Sequence, residues 1–223
     1  MLRRGRVRFG SLRRLTPVSD LFGYDRGQPI DRYYIEDFLG RHGGPGGDIA
    51  GRVLEIGDDM YTRRFGAGVT RSDVLHVEEG NPHATIVADL TRADHIESGS
   101  FDCIVCTQTL LLIYDVRAAI ATLARVLRPG GVVLATVPGI SRICGEIDFW
   151  GDYWRFTRAS ARRLFEEAFP PGDVQVETYG NVLAAVAFLH GLAAHELKRE
   201  ELDLHDPNFE VLIGVRARST AGL

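Results

Sequence analysis

Two short stretches of the chain gather side chains that can take up a proton and hold a polar substrate. The segment GISRICGEIDFWGDYWRFT (139–157) carries Asp148 and Asp152, both tryptophans of the chain, Trp150 and Trp154, and also Phe149, Tyr153 and Phe156. Flat aromatic faces beside carboxylates and Arg155 suit a pyranose ring, which offers apolar C–H faces rimmed by hydroxyls. The second stretch, LDLHDP (202–207), sets His205 between Asp203 and Asp206. A neutral imidazole held by a carboxylate is a general base near pH 7. Asp148, Asp152 and His205 are therefore the candidate bases, with Trp150 and Tyr153 as candidate acceptor-binding rings. Each has a plainer reading as a surface or capping acid, an idle loop histidine or an aromatic anchor. The same acids suit Mg²⁺, which takes oxygen ligands, but no spacing here specifies a metal and its ligands stay unassigned.

These segments need elements to hold them. Residues 53–57, 74–77, 84–90, 101–107 and 132–137 are short, β-branched and nearly continuously apolar. That pattern suits parallel strands covered by helices on both faces. Between the last two lies DVRAAIATLARVLRPGG (115–131), where Val116, Ala119, Ile120, Leu123, Val126 and Leu127 form one helical stripe before Pro129-Gly130-Gly131 stops it. Thr157 predicts an N-cap for RASARRLFEEAF (158–169), with Leu164, Phe165 and Phe169 facing inward. Residues 174–179 and 209–216 read as late strands and 181–197 as an apolar helix. This helix either packs on another insertion or forms a homodimer interface. Upstream, Asp31 is placed to cap a helix bearing Tyr34, Ile35, Phe38 and Leu39 on one face. Asp31, Arg32, Tyr33 and Tyr34 also read as a lid over a bound ligand, with Arg32 and Tyr33, which fall off that face, as substrate-contacting residues. Gly43-Gly44-Pro45-Gly46-Gly47 reads as a flexible joint. The expected architecture is a doubly wound, mainly parallel, Rossmann-like α/β sheet spanning 48–223, with an N-terminal helical extension (1–47) and a late helical insertion.

Bulk properties bound the rest. A chain of 223 residues with 45% hydrophobic and 25% charged residues has an ordinary globular make-up. No apolar run reaches the roughly 20 residues needed to span a bilayer. A net charge of -4 argues against a nucleic-acid binder, although Arg3, Arg4, Arg6, Arg8, Arg13 and Arg14 crowd the start as a solvated terminus or an anion-binding patch. Three cysteines suit a reducing, cytoplasmic setting. Cys103 and Cys106 are three apart on a strand, so they point to opposite faces and cannot share a metal.

The stretch RVLEIGDDMY (52–61) opens like a nucleotide-binding strand, yet Asp58, Asp59, Met60 and Tyr61 follow Gly57 where a dinucleotide fold needs further glycines. Together with ATIVADL (84–90), FDCIVCTQTL (101–110) and ARVLRPGGVVLATVPG (124–139), it resembles the class I S-adenosylmethionine-dependent methyltransferases. Their cofactor has no pyrophosphate, so a single glycine allowing close backbone approach can serve. The resemblance implies that Glu55 and Gly57 lie by the methionyl part of the cofactor. It places Glu78, with Glu79 as the alternative, on the ribose hydroxyls, Asp89 and Leu90 at the adenine, and Thr107 and Gln108 near the sulfonium. GDDMY is poorer in glycine than the family pattern. The few residues between the second and third strands leave no room for a helix, which implies an open adenine pocket. YDRGQPIDRYYIEDFL (24–39), FWGDYWRFT (149–157) and LDLHDP further resemble a bacterial branch found with glycan-modifying enzymes, including mycobacterial O-methyltransferases of methylmannose polysaccharide synthesis. That branch implies O-methylation of a sugar hydroxyl. A small non-sugar acceptor and a non-catalytic cofactor-binding scaffold subunit are the competing readings.

Overall fold

The computed structural model describes residues 10–144 and 151–220; Asp148, Phe149, Trp150 and the first four arginines lie outside the described residues. Seven strands form one sheet in the order β3-β2-β1-β4-β5-β7-β6. They are β1 (Gly51–Ile56), β2 (Val69–His76), β3 (Ile86–Val87), β4 (Phe101–Thr107), β5 (Leu127–Pro138), β6 (Val174–Tyr179) and β7 (Leu212–Arg218). The pairs β1–β2, β1–β4, β2–β3 and β4–β5 are parallel. Only β7, hydrogen-bonded between β5 and β6, runs antiparallel to its neighbours. The helices are α1 (Ile30–His42), α2 (Met60–Phe65), α3 (Val116–Val126), α4 (Arg158–Glu166), α5 (Val182–Leu189) and α6 (Arg199–Asp203).

The sheet separates two apolar cores. One joins α3 and α4 to the sheet through Ile120, Leu123 and Phe165; the other joins α1 and α5 to it through Ile35, Phe38 and Phe188. Cys103 belongs to the second core and Cys106 to the first, as strand alternation requires. Burial pushes the Cys106 thiol up to about 12, leaving an inert core group. Phe38 seats α1 on β7, where a Cβ on Gly214 would come within 2.7 Å of its ring. The Thr157 cap is present as a full capping box with Ser160. Among the described residues no helix is long and apolar enough to cross a membrane.

Several local expectations need correction. The residue capping α1 is Pro29, while Asp31 sits inside the first turn and accepts from the Arg32 N–H at 2.8 Å. The glycine stretch 43–47 is a hydrogen-bonded turn, closed by Gly44 N–H to Phe65 O (2.7 Å) and Asp48 N–H to His42 O (2.7 Å). Of the strand expected over 84–90 only Ile86–Val87 pairs. Asp89 instead folds back to accept from the Thr91 N–H and hydroxyl, both at 2.8 Å, an Asx turn that takes the backbone out of the sheet. The apolar helix stops at Leu189, well short of 197, and the chain turns at Gly191 with φ 70°. A side chain there would strike the Ser19 carbonyl. Helix α3 ends at Val126, and Leu127, expected on its stripe, is already extended and begins β5.

Candidate active site

Parallel strands bring the chain segments after β1, β2, β3, β4 and β5 to one edge, where open α/β sheets hold their ligands. Glu55, at the end of β1, is 2% exposed and accepts from the Tyr61 and Thr62 N–H groups at 3.1 and 2.7 Å. Its carboxyl thereby fixes the first turn of α2 and the loop between. Burial pushes it up to about 7 despite those donors. Gly57 has φ 94°, and a Cβ built there would meet nothing within 4 Å. The loop therefore opens on free space, held by the Gly57 N–H to Leu75 O at 2.9 Å and by Asn81 Nδ2 donating to Gly57 O at 2.6 Å. Glu78 and Asp89 stand exposed beyond β2 and β3, and Leu90 is buried in the core. No helix occurs between β2 and β3. Thr107 ends β4 beside Thr136 of β5.

Gln108 follows with φ 49°, a left-handed conformation rare outside glycine. Its backbone N–H reaches Thr136 O at 2.9 Å, but the buried Nε2 has no partner among the described residues. Gln108 also lines a cavity of about 240 Å³. Leu111 and Leu112 after β4, Pro138 at the end of β5, and Ser141, Arg142 and Cys144 beyond it form part of its wall. Phe22, Tyr24, Asp31 and Arg32 of the N-terminal segment, Phe188 of α5 and Asp152 complete much of the rest. Apart from Gln108, Phe22 is the one described non-glycine residue with positive φ (57°), and it faces the same cavity. Backbone strain of about 1–3 kcal/mol per residue persists only where the surroundings enforce it, typically at ligand sites.

The cavity brings together some of the expected residues and not others. Arg32 is there, its Nε donating to the Tyr24 hydroxyl at 2.8 Å and its Nη1 3.1 Å from Asp31. Burial raises the Asp31 carboxyl against the pull of Arg32. Asp152 is present but committed. It accepts from the Cys144 N–H at 2.8 Å and from Arg155 Nη2 at 2.9 Å, with a second, shorter contact to Nη1. Burial alone would raise this carboxyl, but Arg155 and the Cys144 amide outweigh it and hold it below the ordinary carboxylate range. Tyr33 and His205 instead line a second cavity of about 390 Å³. There His205 Nε2 lies 2.8 Å from Thr178 Oγ1, and Tyr33 donates to Asp203. Tyr153 stands outside both, 52% exposed. Asp148 and Trp150 are outside the described residues. The sequence did not single out Tyr24 or Arg142, and it marked Asp31 as a cap and lid residue but not as a base. Asp31 carried a signal, an acid two residues after proline, that served equally as a cap. No group of three or more His, Cys, Asp or Glu placed to hold a metal occurs among the described residues.

Residues 66–135 match the family model described as "Methyltransferase domain". No curated protein matches the chain. The solved N-methyltransferase NodS from Bradyrhizobium japonicum, bound to S-adenosylhomocysteine, superposes with TM-score 0.56 at 18% identity, over 87% of this chain and 89% of that one. Phosphoethanolamine N-methyltransferase 2 of Haemonchus contortus gives 0.53 at 17% identity over 84% of this chain, which spans only 52% of that protein. A putative methyltransferase complexed with its Trm112 activator from Haloferax volcanii gives 0.55 at 16%, over 89% and 94%. At such identities the likeness speaks for the fold. Over residues 66–135 the chain thus resembles a methyltransferase domain, and its fold is one that these solved methyltransferases share.

Proposed function

We propose that the protein transfers a methyl group from S-adenosylmethionine to a sugar hydroxyl of a bacterial saccharide, a mannoside of methylmannose polysaccharide synthesis being the specific acceptor to try first. The observation that carries this reading is the small cavity beside Gln108. It is walled by Phe22 and Tyr24, has the partly buried Asp31 carboxylate in its lining, and lies beyond β4 and β5 on the edge of the sheet where β1, β2 and β3 also end. The open space above Gly57 and the unpartnered Gln108 amide fit a bound adenosyl sulfonium. Glu78 is placed to accept from its ribose hydroxyls, and Leu90 gives the adenine an apolar floor.

The cofactor supplies an already activated methyl group, so the chain's work is alignment and proton removal. Alignment of reactants is worth up to about 7–11 kcal/mol. The apolar walls would exclude water, and the Gln108 Nε2 would donate to an oxygen of the bound ligand. We assign proton uptake from the acceptor hydroxyl to Asp31, because burial keeps its carboxyl more basic than that of Asp152, which Arg155 neutralises. Arg32 holds Asp31 in place. Asp31→Asn should therefore lower kcat by about 10²–10⁴-fold while calorimetry shows unchanged S-adenosylmethionine affinity. Asp148→Asn and His205→Asn, run alongside, test the other candidate bases, and chelation by EDTA tests a Mg²⁺ requirement.

An amine of a small metabolite is the second reading. Asp31 can equally hold an ammonium group, and two of the similar solved proteins are N-methyltransferases. A screen of mannosides against amine, phenol and carboxylate acceptors separates the two. Methylation of only the non-sugars ends the saccharide proposal. A chain that binds the cofactor yet methylates nothing would fit a scaffold subunit, a reading that the acid-rich Asp58-Asp59 loop supports. The homodimer reading attaches to the exposed Val182, Leu183, Val186 and Leu189 of α5, and sedimentation velocity tests it.

A further inference from the structure

Beside the acceptor cavity three aromatic rings stand together in solvent. Tyr114, from the turn before α3, is 72% exposed; Tyr153 and Trp154, from the segment before α4, are 52% and 36% exposed. Tyr114 stacks on Trp154 with centroids 6.1 Å apart and planes 26° apart. It meets Tyr153 edge-on at 5.4 Å and 69°. The rings are pinned from behind. The Tyr153 and Trp154 N–H groups both donate to the Leu111 carbonyl, at 2.9 and 3.3 Å, and the Trp154 indole N–H donates to Ile113 O at 3.0 Å. With its only donor consumed, Trp154 has an apolar face left to offer. The Tyr114 and Tyr153 hydroxyls have no hydrogen-bond partner among the described residues, so two polar tips rim the platform.

Leu111, which anchors the platform, also lines the acceptor cavity, as does Asp152 next to Tyr153. That cavity, about 240 Å³, is smaller than the roughly 300–1,000 Å³ of sites for drug-sized ligands. It holds one small unit, and a longer acceptor must leave it over an adjoining surface. We propose that Tyr114, Tyr153 and Trp154 form a subsite for a sugar unit next to the one methylated, so that the acceptor is an oligosaccharide and not a free monosaccharide. The proposal rests on the saccharide reading above. A protein partner fits less well, since stable interfaces bury about 800 Å² per side and three rings supply a fraction of that. Stacked nucleobases fit less well because the chain's net charge is -4.

The test compares methyl α-mannoside with mannotriose as acceptors for the full chain and its Tyr114→Ala and Tyr114→Trp variants. The high exposure of Tyr114 lets both variants fold. Tyr114→Ala should raise KM for mannotriose by about 2- to 10-fold, the scale of one aromatic contact, with kcat and the KM for methyl mannoside unchanged. Tyr114→Trp should restore the mannotriose KM. Equal effects on both sugars, or none, overturn the subsite while leaving the methyl-transfer reading intact. If neither sugar is methylated, calorimetry with mannotriose in the presence of S-adenosylhomocysteine decides the subsite separately. Binding that Tyr114→Ala abolishes upholds it, and no binding by the unaltered chain overturns it.

Discussion

At the scale of single residues, Gln108 combines two costs that a folded chain ordinarily avoids: a left-handed backbone and a buried amide nitrogen without a partner. Each costs on the order of 1–3 kcal/mol, and a ligand at the end of β4 would relieve the second. Gln108→Gly removes the first as well, since glycine takes φ 49° without strain. The expected outcome is a variant whose Tm is no lower than that of the unaltered chain but whose affinity for S-adenosylhomocysteine, read by calorimetry, falls by about tenfold, in the range of one lost hydrogen bond. A fall in Tm with unchanged affinity would make Gln108 structural. The sequence marked Gln108 only through its resemblance to a family pattern. Its strain is invisible there, because φ at one position is imposed by the chain on either side. Glu55 is the converse case. Its position at the end of an apolar strand was readable, but its work, accepting from the Tyr61 and Thr62 amides, appears only once α2 folds back over β1.

At the scale of elements, the late insertion depends on Asn181. Its Oδ1 caps α5 through the Leu183 and Ala184 N–H groups, both at 3.0 Å, while its Nδ2 donates to Glu201 O and Leu204 O, both at 2.7 Å. One side chain thus ties α5 to α6, and the far end of α5 delivers Phe188 to the acceptor cavity. Asn181→Ala should cost about 2 kcal/mol, a cap plus lost buried hydrogen bonds. For a chain of this size that lowers Tm by about 4–8 °C, measured by differential scanning calorimetry, and the acceptor KM should rise while cofactor affinity holds. Periodicity located α3, α4 and β4 well because each buries a regular stripe against the sheet. It overran α5 because Leu192, Ala193, Ala194 and Leu197 carry apolar character past Gly191, the one local mark of the turn that the Ser19 carbonyl enforces. It overran β3 because Asp89 and Thr91 bond locally instead of to a neighbouring strand.

At the scale of the whole molecule, the buried acids set opposing pH trends. Burial raises Glu55 from 4.5 to about 7, so between those values the folded chain keeps a proton that the unfolded chain has lost. Stability from this group therefore falls as pH rises through that window. Burial would also raise Asp48, Asp73 and Asp152, but their arginine partners outweigh it and hold them low. Arg26 likewise holds Glu196 at about 2. Their contribution is present above the ordinary carboxylate range and is lost as pH falls through their depressed values. The drop in urea midpoint from pH 5 to pH 8 should accordingly be smaller in Glu55→Gln than in the unaltered chain; an equal drop would show that Glu55 does not titrate there. The order of apolar strands and amphipathic helices, and with it the doubly wound class, was set by the sequence alone, since burial periodicity and capping are local and repeat along the chain. Which acid meets the acceptor cavity was decided only by the tertiary structure. Asp31, Gln108 and Asp152 lie far apart in the chain and meet where the N-terminal segment crosses the ends of β4 and β5, while His205, no less plausible as a base by its local sequence, was carried into a different cavity.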